Sequence, residues 1–288
     1  MEKIACPACD NEEITCIYKR IYGFKKLLKC ERCGLSFVWP KPLFSGKGFT
    51  EEDYRAWALH DLGSEGLSRM KRATFRRVLD IVEKYKSNGS LLDVGCAFGY
   101  LLEVAEKDGW DSRGVEFSEY AAKEARGKIG IDKVMVGDFM DFPLPANRFD
   151  SIVMADIIEH LYNINAVFKK CKELLKDEGI LVIVTPDTDS LSRRCLRKHW
   201  PHFNEQHVTY FSNRGVKTVL GINGFRLLEK ANFKKALNFY YIRGSVHAHC
   251  RKLLIALINI ISILIPPVLK KMNFFMPHGE MIIIAQKK

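Results

Sequence analysis

From residue 90 onward, five apolar runs alternate with stretches of helical periodicity: "LLDVG", "SRGVEF", "KVMVGD", "FDSIVMA" and "GILVIVTPD". Short runs that are apolar on every position are strands buried on both faces. Their alternation with helices specifies an α/β fold: a mostly parallel sheet with helices on both sides. Two further runs, "GFRLLEKANF" and "EMIIIAQKK", read as additional strands of the same sheet. Ahead of it, Leu67, Met70, Phe75, Val78, Leu79 and Val82 recur at helical spacing and predict a helix over 64–86, stopped by "KSNGS". The chain of 288 residues accommodates one large domain, or one domain with an attachment. The opening "MEKIACPACD" has no apolar stretch of the secretory type. With nine cysteines, this points to a reducing, cytoplasmic setting in which clustered thiols bind metal rather than pair.

Charge is unevenly distributed. Residues 90–188 carry 11 basic and 18 acidic side chains, whereas residues 189–288 carry 17 basic and 4 acidic ones. An acidic centre is unsuited to a polyanionic cofactor. A basic last third suits an anionic substrate, a membrane surface or RNA.

The stretch "SLLDVGCAFGYLLEVA", residues 90–105, reads as a buried strand, a glycine turn and a helix start. Such turns hold adenosine-containing ligands, so the ligand class must be decided. Gly95-Cys96-Ala97-Phe98-Gly99 lacks the G-x-G-x-x-G spacing that presents N–H groups to a pyrophosphate, and no G-K-[ST] follows. Asp93 stands two residues before the first glycine. A carboxylate there repels a pyrophosphate and suits a ligand bearing an ammonium and a sulfonium.

This arrangement resembles motif I of the class I S-adenosylmethionine (SAM)-dependent methyltransferases, D-x-G-x-G-x-G, with Ala97 at the middle glycine. The resemblance runs over roughly residues 70–235 and the last strand. It implies a Rossmann-like sheet with an antiparallel last strand, and SAM as cofactor. It also implies site residues. Asp93, Gly95, Ala97 and Gly99 form the cofactor turn. Glu116, 23 residues after Asp93, accepts the ribose hydroxyls, with Phe117 beside it. Asp138 meets the adenine amino group and Phe139 lies near the ring. Asp156 ends the fourth strand of the family pattern, followed by the frequent "EH" ending, Glu159-His160.

The cysteines give a second signal. Cys6, Cys9, Cys30 and Cys33 form C-x2-C, twenty residues, C-x2-C, the spacing of a closed tetrahedral zinc site. Four sulfur ligands leave no open position, so the zinc is expected to be structural. Residues 1–40 read as a small zinc ribbon, 41–63 as a linker, and 64–288 as the methyltransferase domain with an apolar helical insertion at about 245–275.

Acceptor chemistry belongs just past the C-terminal ends of the strands. Two stretches qualify. In the related quinone O-methyltransferases, positions equivalent to Asp156, Glu159 and His160 bind a divalent cation; fixing the loop is the alternative role. After the fifth strand, "SRRCLRKHWPHFNEQHVTYFS" resembles the H-x-x-x-F-S segment of small-molecule methyltransferases, which places His207 and Tyr210 at the acceptor. His160, His207 and Tyr210 are therefore the candidate catalytic residues. Arg193, Arg194, Arg197 and Lys198 form either an anion clamp or a solvated face, and His199, Trp200 and His202 are expected to form a lid.

"LLIALINIISILIPPVL", residues 253–269, has only thirteen residues before its prolines. That is short of the roughly 20 needed to span a bilayer, and the chain must still return to the sheet. It reads as a buried or interfacial helix, contacting either an anionic membrane surface, at the inner face of the membrane, or a second copy. The resemblance implies a methyltransferase acting on a small anionic acceptor such as a nucleotide sugar, glycan precursor or lipid-linked saccharide. The alternative is an RNA base methyltransferase that uses the ribbon to bind RNA.

Overall fold

A computed structural model describes residues 4–23, 25–41, 63–249 and 252–288. The expected linker falls almost wholly outside the described residues. Two sheets organise the chain. The larger is built from β4 (Ser90–Val94), β5 (Asp111–Glu116), β6 (Val134–Val136), β7 (Phe149–Ala155), β8 (Leu175–Pro186), β10 (Phe225–Leu237) and β11 (Phe274–Lys287), in the order β10-β11-β8-β7-β4-β5-β6. The five strands from β6 to β8 are parallel, and β11 runs antiparallel to both β8 and β10. The expected fold class is thus present, with the antiparallel strand inserted next to the sheet's outer edge.

Strand alternation sends neighbouring side chains to opposite faces. Leu92, Ile152, Met154, Leu181 and Ile183 face one core, with α4 (Ile164–Leu174) and α6 (Asn213–Ile222) packed over it. Leu91, Val153, Ile180 and Val182 face the other, under α1 (Gly63–Val82), α2 (Tyr100–Lys107) and α3 (Glu119–Ile129). The apolar runs are continuous because both faces are covered. Helix α1 stops at Val82, four residues before the expected end, and the chain turns through 83–85.

The small sheet is β1 (Ile14–Tyr18), β2 (Lys26–Cys30), β3 (Ser36–Trp39) and β9 (Thr209–Tyr210). Its fourth strand comes from far along the chain: Ser36 pairs with Tyr210 and Phe37 with Thr209. Cys6, Cys30, Cys33, Leu35 and Phe37 belong to the same buried cluster as Ile158 and Phe168. The N-terminal segment is therefore packed into the body of the protein rather than tethered to it.

Between β10 and β11 lie α7 (Phe239–His249), α8 (Lys252–Leu264) and α9 (Pro267–Lys271), so the helical insertion begins earlier than about 245. Among the described residues no helix is long and apolar enough to cross a membrane. Helix α5 (Leu191–Leu196) follows β8.

Candidate active site

The turn after β4 bends through three left-handed residues, Gly95 at φ 75°, Ala97 at φ 47° and Gly99 at φ 72°. A Cβ at Gly95 would collide with Ile157 Cδ1, so only glycine lets the loop after β7 close over this turn. Ala97 holds a conformation that costs an L-residue roughly 1 kcal/mol. Its backbone N–H is donated to Glu116 Oε2 at 2.8 Å, and Ser118 N–H is donated to Oε1 at 2.9 Å. The Glu116 carboxylate thus ties the end of β5 to the turn. Parallel register sets Asp93 beside Gly114 of β5, and both acids are buried. Burial, with the Glu116 charge adding to it, pushes Asp93 up to about 8. Two buried carboxylates beside a glycine turn fit a cationic ligand, whose charge offsets their repulsion.

The remaining cofactor candidates are spread more widely. Phe117 is 46% exposed at the end of β5. Asp138 is exposed and accepts the Met140 N–H at 2.8 Å, heading a short 3-10 turn. Phe139 turns inward and is buried in the core, under the Lys170 ammonium at 4.9 Å.

Asp156, at φ 59°, closes β7 and is turned toward β10. Lys235 Nζ donates to its two oxygens at 2.7 and 3.0 Å and to Glu280 Oε1 of β11 at 2.8 Å. Burial opposes ionisation of Asp156, yet the Lys235 ammonium holds it down to about 2; its side chain remains 41% exposed. Burial raises Glu280 instead, and its Oε2 lacks a hydrogen-bond partner among the described residues. Lys71 of α1 feels the same group, and burial together with Lys235 pushes it down to about 7. Lys71, Lys235 and Glu280 belong to no recognisable local motif, and sequence reasoning missed them.

Four imidazoles cluster at the same edge. His160 and His207 rings lie 4.8 Å apart, His202 and His207 6.2 Å, and His202 and His278 5.4 Å. His160 Nδ1 donates to the Gln206 carbonyl at 3.0 Å, which fixes its tautomer. His202 Nε2 donates to the His278 carbonyl at 2.9 Å. Burial, then the neighbouring imidazoles, pushes His207 down to about 3, and its Nδ1 has no hydrogen-bond partner among the described residues. Glu159 accepts the Thr185 hydroxyl at 2.9 Å. Glu159, His160 and His207 each bring one ligand atom within 4.8 Å of the others. His207, rather than Asp156, completes this group.

Tyr210 is buried, and its hydroxyl and that of Tyr22 both donate to the His207 carbonyl, at 3.1 and 2.9 Å. The expected lid is not a lid. Trp200 and His202 are buried, Trp200 packing with Leu27, Val38 and Tyr210 and donating to Ser192 Oγ at 3.1 Å. Its large ring is more stable in the core than over an open cleft. The basic cluster divides: Arg193 lies over the Tyr18 and Phe203 rings, while Arg194, Arg197 and Lys198 are exposed.

The four cysteines converge on one point. Sγ atoms of Cys6 and Cys33 are 3.5 Å apart, as are those of Cys9 and Cys30, and all four lie within 4.8 Å of one another. A tetrahedron with bonds of about 2.3 Å requires S···S separations of roughly 3.8 Å. Each pair sits on a matching turn: Asp10 N–H donates to Cys6 O and Gly34 N–H to Cys30 O, with φ 55° and 80°. Backbone N–H groups of Ala8 and Cys33 point at Cys6 and Cys30 Sγ. The set can bind a metal.

Residues 67–230, more than half of the chain, match the methyltransferase domain family. An uncharacterized methyltransferase of Geobacillus sp. (strain WCH70) is 34% identical over 113 residues, 38% of this chain and 53% of that protein. A ubiquinone biosynthesis O-methyltransferase of Rhodopseudomonas palustris is 29% identical over 118 residues, 39% of this chain and 42% of that one. The chain thus spans about half, or less, of the length of these relatives. A SAM-dependent methyltransferase structure from Archaeoglobus fulgidus superposes with a TM-score of 0.55 at 22% identity, covering 81% of this chain and 99% of that one. A Haloferax volcanii methyltransferase, solved with the Trm112 methyltransferase activator, gives 0.56 at 14% identity, covering 82% and 96%. At these identities the two structures attest the fold alone. The family match covers more than half of the chain, and the strand order agrees with it: the chain belongs to the methyltransferase domain family.

Proposed function

We propose that this enzyme methylates a small anionic acceptor of the nucleotide-sugar, glycan-precursor or lipid-linked saccharide class. The observation that carries the reading is the contrast along one sheet edge. Asp93 and Glu116 stand on the cofactor side. Lys71, Lys235 and the imidazoles, together with Asp156, Glu159 and Glu280, stand on the acceptor side; Lys235, His202, His207 and His278 come from a last third carrying 17 basic and 4 acidic residues.

SAM supplies a methyl group on a sulfonium, open to in-line displacement. Asp93, Gly95, Ala97, Gly99 and Glu116 hold it, with Glu116 accepting the ribose hydroxyls and Asp138 and Phe117 flanking the adenine. His207 is uncharged at neutral pH, and its Nδ1, which no described residue engages, accepts a hydrogen bond from the acceptor and orients it. His160 orients His207, its own tautomer fixed by Gln206. Tyr210 and Tyr22 are positioning residues, because they hold the His207 backbone and not its ring. Lys71 attracts the acceptor's charge, while Lys235 holds Asp156 and Glu280 in place beside it. Cys6, Cys9, Cys30 and Cys33 hold a structural zinc, which stiffens the module carrying Tyr22.

The RNA reading is weaker. The ribbon's β3 edge is engaged by β9, and three of its four paired cysteines, Cys6, Cys30 and Cys33, are buried in the core. The test uses methyl-labelled SAM and an extract lacking the enzyme, split into nucleotide-sugar, lipid–glycan and RNA fractions. Label is expected in one of the first two. Label in RNA, lost on nuclease treatment, overturns the proposal.

A further inference from the structure

The part of α8 with described side chains exposes only apolar residues: Ala256, Leu257, Ile260, Ile263 and Leu264. At 100° per residue these fall within about 120° of arc. Ile263 is 83% and Leu264 76% exposed. The polar side is occupied: Asn259 Oδ1 accepts from Arg243 Nε at 3.2 Å and pairs with His247 Nε2 at 3.0 Å, both on α7. The stripe continues through Val268 and Leu269 of α9 and the first three residues of β11, all exposed. A run of this kind on a soluble surface marks an interaction site.

Charge selects the occupant. Lys270 and Lys271 close α9 directly beside the stripe. A second copy docked by two-fold symmetry would oppose two surfaces drawn from the same strongly basic third, which is repulsive. An anionic lipid surface complements both the stripe and the lysines.

We infer that α8 and α9 lie flat on an anionic membrane surface, the apolar stripe inserted at the headgroup boundary. The helices leave β10 and re-enter β11 at the sheet edge that carries Lys235, Glu280 and His278. Resting on the proposed acceptor site, this assigns the acceptor to the lipid-linked members of the anionic class. The substrate meets the enzyme at the interface, and the protein does not extract it into water.

Sedimentation of the full chain with vesicles tests this. Vesicles containing phosphatidylglycerol are expected to bind at least about tenfold more tightly than pure phosphatidylcholine vesicles, and salt should weaken the binding. The double variant Ile263→Asp, Leu264→Asp should reduce that binding by about tenfold or more. Both side chains are exposed, so the fold is retained, and unchanged SAM affinity by calorimetry verifies it. Equal sedimentation of variant and parent overturns the inference. So does a dimer abolished by the same pair of substitutions in a protein that ignores vesicles, because a second copy would then cover the stripe. Loss of SAM binding with vesicle binding intact would instead remove the methyltransferase site and leave the docking surface standing.

Discussion

The proposed cofactor side and the proposed acceptor side of this sheet edge are built in opposite ways. The cofactor side is contiguous: Asp93 through Gly99 span seven residues, and Glu116 comes from the next strand, bonded to the same turn. The acceptor side is assembled. Asp156, Lys235 and Glu280 come from β7, β10 and β11, and the four imidazoles range from His160 to His278. The first is acidic and suits a cation; the second interleaves lysines and imidazoles with Asp156, Glu159 and Glu280, and its charges are largely paired with one another.

The comparison can be broken by disabling one side at a time. The largest effect is expected for Cys30→Ser. Loss of a structural metal should lower the thermal midpoint by roughly 10 °C or more and leave less than one zinc per chain by elemental analysis. A parent protein that folds without metal contradicts this. Glu116→Ala should weaken SAM binding by about 2–4 kcal/mol, thirtyfold or more, because a charged acceptor of several hydrogen bonds is lost. Unchanged affinity in calorimetry removes the ribose assignment. Lys235→Met should do the reverse. SAM affinity is retained, while Asp156 and Glu280 lose their shared cation, at a cost of about 2–3 kcal/mol in stability once the exposure of Asp156 is allowed for, and methyl transfer falls with it. Equal losses in SAM binding would show that the two sides are not separable.

The smallest effect is a pH dependence. Asp93 is raised to about 8 in the folded protein, against about 3.9 when unfolded. The folded state therefore holds the proton more tightly. The stability this contributes is complete below pH 4 and is lost as pH rises through 8. Between pH 7 and 8 the loss is about 1 kcal/mol, and Asp93→Asn should abolish it. Chemical denaturation of parent and variant at the two pH values reads the difference. Saturating SAM should shrink it, because a cationic ligand favours the ionised carboxylate.

Legibility in the sequence followed the same division. The glycine turn, Glu116 and the paired cysteines were readable because their chemistry is set by spacing within one or two elements. Lys235 was not: it sits near the end of β10, and only the placement of β11 between β8 and β10 brings it to Asp156. Glu280 looked like the polar lead-in to an apolar run, but it is buried opposite Pro186. Trp200 and His202 read as lid residues because their segment follows the fifth strand, where the acceptor is expected. The aromatic packing with the N-terminal sheet, which reverses that reading, spans about 170 residues of sequence.

That pairing also constrains how the chain is made. Phe37 leaves the ribosome 172 residues before its strand partner Thr209. Until then the free edge of β3 is an open template for other strands, and its pairing with β9 has to close a very long loop. Metal captured early by the four thiols would hold the hairpin in register during that wait. The small sheet is thus begun before the large one and completed only after most of the large one has been made.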